Sequence, residues 1–137
     1  MPLYRALRPV EIDSGCVLTP KAQSAFRAYP RLPLVLPFKL GDALEHAVRD
    51  HQLHARFETR GVSCTSCWEI AFGYARTNRV IVRIDESACE RHGIHRYVVK
   101  DYLSPQLIEK PQDEETILVW DTDGCFPADV VAEIIRI

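Results

Sequence analysis

Residues 61–75, Gly-Val-Ser-Cys-Thr-Ser-Cys-Trp-Glu-Ile-Ala-Phe-Gly-Tyr-Ala, constrain the fold more than any other stretch of the chain. A short strand pattern runs through consecutive hydroxyl and thiol side chains and passes directly into a helical pattern. Ser66 and Glu69 stand at capping-box spacing, so the hydroxyl can accept from the Glu69 amide while the carboxylate returns to the cap amide. Cys67, Ile70, Ala71 and Tyr74 recur at i, i+3, i+4 and i+7, which predicts an inward helix face made of those four residues. Ser63, Cys64 and Thr65 are then held at a strand end on a rigid support, and a fixed polar ledge of that kind is what a ligand site needs.

Elsewhere the chain alternates short strands with helices and then turns mainly to strands. Thr19-Pro20 offers an N-cap followed by proline at the first helical position, predicting a short helix over Lys21 to Ala28. Gly41-Asp42 opens a second helix with Leu44, Ala47, Val48 and His51 along one side. Between them the proline-rich run from Pro30 to Phe38 breaks regular structure and connects packed elements, because the residues before it are too few for a core of their own. Val80, Val82 and Ile84 alternate within Arg79 to Asp85, the pattern of a half-buried strand. Arg96 to Lys100 and Glu115 to Trp120 read as strands too, with Ser104-Pro105 and Lys110-Pro111 interrupting the stretch between them. His92 and His95 flank Gly93 in a surface turn. The expected class is α+β, a packed pair of small sheets with helices at one end, in one domain spanning residues 1–137.

Charge and cysteine usage exclude some functions. A net charge of −2 gives no basic field for neutralising phosphates, so stable nucleic-acid binding is not expected. No apolar run approaches the ~20 residues of a membrane span, and Met1-Pro2-Leu3-Tyr4-Arg5 lacks the charged-then-apolar order of a signal peptide. Five cysteines are an odd number in a chain long enough to bury a core without staples, which points to reduced thiols in a cytoplasmic setting.

Ser63-Cys64-Thr65 followed by Ile70-Ala71-Phe72-Gly73-Tyr74-Ala75 resembles the second signature of the ADP-ribosyltransferase superfamily, a Ser-Thr-Ser strand end before a helix. Three further segments stand in that family's order. Leu3-Tyr4-Arg5-Ala6-Leu7 is similar to its first strand with its arginine. Asp113-Glu114-Glu115-Thr116-Ile117-Leu118 is similar to its acid-x-Glu-Val-Leu strand, and Phe126 to Val131 with Ile134 to Ile137 to its closing turn and last strand. The resemblance implies a split β-sandwich of two small sheets holding NAD in the cleft between them. The implied activity is mono-ADP-ribosyl transfer, or NAD glycohydrolysis, toward an acceptor that is a macromolecule, a small molecule or water. A toxin or effector delivered into another cell is one setting for such a chain.

That chemistry explains the residue types. Cleavage of the nicotinamide–ribose bond develops positive charge on the ribose, which a nearby carboxylate stabilises. By the resemblance, Glu115 is that catalytic carboxylate and Ser63 holds it. Arg5 would face the dinucleotide phosphates, where a planar fork matches two oxygens, and Cys64, Thr65 and Tyr74 would also line the NAD site. Adjacent strand residues point to opposite faces, so only one of Glu114 and Glu115 enters the cleft. Gln112-x-Glu114 offers a rival register, and Asp113 departs from the usual Glu or Gln two positions before the catalytic Glu. Cys64 replaces a hydroxyl with a thiol.

Two other readings fit the residues. His51-x-x-His54 before Cys64-x-x-Cys67 has the spacing of a tetrahedral zinc site, although a helix packing Cys67 inward competes for that thiol. The same scaffold could also serve as a catalytically inactive binding module.

Overall fold

The computed structural model describes residues 2–21, 61–102 and 113–137. The helices expected after Thr19-Pro20 and after Gly41-Asp42 lie outside the described residues, apart from Lys21, which is a bend, and so does the proline-rich run. Strand β1 (Leu3–Ala6) leads into α1 (Pro9–Asp13), β2 (Val62–Thr65) into α2 (Trp68–Tyr74) and β3 (Val80–Ile84) into α3 (Glu86–Arg91). Strands β4 (His95–Val98), β5 (Glu115–Val119) and β6 (Val131–Arg136) follow, with 3-10 turns at Val99–Asp101 and Ala128–Val130. The α+β class stands.

The described strands form one six-stranded sheet in the order β4-β5-β2-β1-β3-β6, antiparallel throughout. Its narrowest point is the middle. Strands β1 and β2 share a single register pair, Tyr4 opposite Thr65, whereas β1 follows β3 from Leu3↔Ile84 to Ala6↔Ile81 and β2 follows β5 from Val62↔Leu118 to Thr65↔Glu115. Two three-stranded groups therefore meet at one bridge.

Hydrophobic burial makes up for the thin ladder. Leu3, Val82 and Ile84 from one group pack in the same cluster as Val62, Cys64 and Leu118 from the other, closed off by Leu7, Leu18, Phe126 and Val130. The face of the sheet opposite this cluster carries two smaller ones. Ile117 and Val119 pack with Val99, Tyr97 and Tyr102, while Ile81 packs with Ala71 and Ala75 of the α2 region and with Tyr4 and Trp68. The alternation in Val80 to Ile84 thus understates this strand. Ile81, expected on an open face, is fully buried, because β3 lies between β1 and β6 and α2 covers its other side.

Helix α3 carries no periodic signal over its six residues, yet Asp85 caps it by accepting from the Ala88 amide at 3.1 Å, and Ala88 and Cys89 face the core. The strand expected over Arg96 to Lys100 is shorter. It runs from His95 to Val98 and tightens into the 3-10 turn, where Val99 turns into the core beside Ile117. Among the described residues no helix is long and apolar enough to cross a membrane.

Candidate functional site

Arg5, Ser63 and Glu115 come from three neighbouring strands and are joined by hydrogen bonds. The Arg5 Nη1 donates to the Ser63 carbonyl oxygen at 2.7 Å, and the Ser63 hydroxyl donates to Glu115 Oε2 at 2.5 Å. Ser63 lies opposite Ile117 in the β2–β5 ladder, so Glu115 is its diagonal neighbour on the same face. All three side chains are part-buried.

The two acidic registers separate clearly. Glu115 opens β5 and turns to Ser63; Glu114 is exposed, adopts a left-handed φ of 48° and accepts from the Ser66 hydroxyl at 3.1 Å. A left-handed conformation in a non-glycine residue is uncommon, and such residues concentrate where surrounding contacts over-determine the backbone. Those contacts are present here. The Thr65 hydroxyl donates to the Asp113 carbonyl at 2.5 Å, and the Tyr74 hydroxyl donates to Asp113 Oδ2 at 2.5 Å. The segment that presents Glu115 is thereby tied to both β2 and α2.

Several sequence expectations need correcting at α2. Ser66 and Glu69 form no capping box. The cap position is Cys67, whose amide donates to Thr65 Oγ1 at 3.0 Å, and the Ser66 hydroxyl is turned to Glu114 instead. The predicted inward stripe also rotates. Ala71 and Ala75 are buried and Trp68 leans on Tyr4, with ring centroids 5.4 Å apart, whereas Tyr74 is 56% exposed. Starting the helix at Trp68 moves its buried face to i, i+3, i+7 from that residue, and Tyr74 swings out toward Asp113. Tyr74 is therefore a surface aromatic beside the Glu115 segment, not a core residue.

Cys64 was expected beside the ligand. It faces the other way, into the core shared by both halves of the sheet, because it alternates with Ser63 and Thr65 along β2. Burial pushes its thiol up to about 12, against a lowering pull from Arg5. Cys89 is raised to about 11, again mainly by burial. Such thiols are neutral and poor nucleophiles or metal ligands. All five cysteines are free; Cys67 Sγ lies 3.4 Å from Glu69 Oε2. Among the described residues no group of three or more His, Cys, Asp or Glu is arranged to hold a metal, and His51 and His54 lie outside them.

The raised thiols predict alkaline sensitivity. An unfolded Cys64 ionises from about pH 9 but the folded one only near 12, so the fold's stability is intact below pH 9 and declines as pH rises through that window. The limiting slope per thiol is about 1.4 kcal/mol per pH unit. Denaturant titrations from pH 8 to 10.5 should show this decline, and Cys64→Ala should flatten it without abolishing it, because Cys89 still titrates. An unchanged slope would place the sensitivity elsewhere.

The residue that sequence reasoning missed is Glu11. Its side chain is 0% exposed and accepts from Arg5 Nε and Nη2, both at 3.0 Å, so the Arg5 fork that was expected to meet phosphates is turned onto a protein carboxylate. The only available signal was its place three residues after Arg8, where its carboxylate caps the Arg8 amide at 2.9 Å. A five-residue helix, Pro-Val-Glu-Ile-Asp, is too short to show a periodic pattern that would have marked Glu11 as buried.

No protein-family model matches this chain, and neither the curated proteins nor the solved structures contain a detectable relative.

Proposed function

We propose that this protein is an ADP-ribosyltransferase-like enzyme that cleaves the nicotinamide–ribose bond of NAD, transferring ADP-ribose to an acceptor or to water. The observation that carries the reading is the Arg5–Ser63–Glu115 chain of hydrogen bonds, which links residues 58 and 52 positions apart. Residues chosen from three separate sequence signatures meet on adjacent strands: the Ser63 and Glu115 side chains share one face of the sheet, and Arg5 reaches the Ser63 carbonyl from the other. The narrow β1–β2 junction also supports the finer fold reading, a split sandwich whose two halves diverge from a single bridge.

In this reading Glu115 is the electrostatic stabiliser. As the carbon–nitrogen bond breaks, its electron pair leaves with nicotinamide and positive charge grows on the ribose, where a fixed carboxylate lowers the barrier. Ser63 supplies the fixing, by donating a hydrogen bond that sets the carboxylate's rotamer. Tyr74, exposed and tethered to Asp113, offers an aromatic face at the rim for the nicotinamide or the acceptor. Water or an acceptor nucleophile then supplies the electron pair for the new bond to the ribose carbon and loses its proton.

The direct test is incubation of the purified chain with NAD while free nicotinamide is measured. Binding should also register as stability: NAD at about 100 times its dissociation constant adds ~2.7 kcal/mol to unfolding. No nicotinamide release together with no melting shift in millimolar NAD would sink the proposal.

A further inference from the structure

We propose that Glu11 is a positioning residue for this reaction: it locks the Arg5 guanidinium, which fixes the Ser63 peptide and so the hydroxyl that holds Glu115. The inference rests on the NAD-cleavage reading above and concerns the same site. Glu11 receives a full set of donors. Oε1 accepts from Arg5 Nη2 at 3.0 Å and the Arg8 amide at 2.9 Å, and Oε2 from Arg5 Nε at 3.0 Å and the Thr19 amide at 3.0 Å. A carboxylate has about four acceptor sites, and four donors fill them. It is therefore committed to the protein and has no part in touching substrate. The side-on, two-point grip leaves the guanidinium no rotational freedom.

What that grip sets is the seam of the sheet. After Tyr4↔Thr65 the antiparallel register would bring Arg5 opposite Cys64 and Ala6 opposite Ser63, but β1 and β2 are no longer paired there. The Arg5 side chain, only 12% exposed, spans that gap and donates to the Ser63 carbonyl at 2.7 Å. A side-chain hydrogen bond thus takes over where the ladder stops, immediately beside the residue that orients Glu115. Arg5 acts through Ser63, with its Nε edge turned away from any ligand.

The test uses Glu11→Gln in the full chain. The amide keeps the shape of the carboxylate but presents N–H groups to donors, so the Arg5 grip is lost. NAD cleavage should then show a kcat lowered by about 10- to 100-fold, the scale of a small misplacement at a reacting centre, with KM nearly unchanged. Arg5→Lys covers the case in which Glu11→Gln does not fold. It keeps a cation opposite Glu11 but lacks the fork that reaches Ser63, and the same split between kcat and KM is expected. Wild-type kcat in the folded variants, or a loss confined to KM, would overturn the proposal, the latter by making Arg5 a direct phosphate ligand. Should the wild-type chain release no nicotinamide, the enzymatic reading fails separately, and amide NMR decides the geometry. Shifted Ser63 and Glu115 signals in the substituted protein support the positioning role, and unshifted signals refute it.

Discussion

Glu115→Gln should lower nicotinamide release by about 10²- to 10³-fold, the usual loss when one preorganised electrostatic contact is removed. Folding should survive. The substitution keeps the side chain's shape and its capacity to accept from Ser63, while removing the charge that would stabilise the ribose cation. The companion variant Glu114→Gln should turn over NAD at close to the wild-type rate, because Glu114 is exposed and turned to Ser66. Far-ultraviolet circular dichroism and thermal melts on both variants separate a folding defect from a chemical one. Loss of activity in Glu114→Gln with retention in Glu115→Gln would mean that the working acid lies in the other register. Equal indifference to both, in a protein that does cleave NAD, would remove the third signature from the site altogether.

The parts of this arrangement that were legible in sequence are those in which side-chain type and strand alternation agree. Alternation along β5 sets Glu115 on the Ser63 face and Thr116 on the other, whereas the same alternation along β2 turns Cys64 into the core, against the expectation that it lines the site. What sequence could not supply depends on which donors meet which acceptors across long separations. The capping box at Ser66 and Glu69 was locally reasonable, but Glu114 lies 48 positions away and competes for the Ser66 hydroxyl. Likewise, the spacing that made Tyr74 a core residue assumed a helix beginning a residue earlier; the Thr65 hydroxyl, by accepting from the Cys67 amide, starts it at Trp68. Glu11 was invisible for a related reason. A buried carboxylate is recognisable only by its partners, and two of its four donors are backbone amides, which no side-chain pattern reveals.

Leu118→Ala should cost about 2–5 kcal/mol, the range for truncating a fully buried leucine in a core that relaxes only partly. The site of the cavity gives the variant its interest. Leu118 lies on β5 in the cluster that also holds Leu3, Val82 and Ile84 of the other strand group, and among the described residues only Tyr4↔Thr65 pairs the strands of the two groups. If packing is what joins them, the cavity destabilises both together. Two tryptophans report the two sides: Trp68 leans on Tyr4, and Trp120, just beyond β5, stacks edge-on against Phe126 at 5.9 Å. In the Leu118→Ala background, single Trp68→Phe and Trp120→Phe substitutions leave one reporter each, and the two denaturation midpoints should fall by the same amount. Ile134→Ala, at a half-exposed position on β6, should shift both by less than about 1 kcal/mol. A midpoint that falls for Trp120 but stays fixed for Trp68 would show that the strand groups unfold independently. Among the described residues the backbone bridge, the Arg5 contact to Ser63 and the packing of α2 against Tyr4 would then be what couples the halves that carry the proposed site.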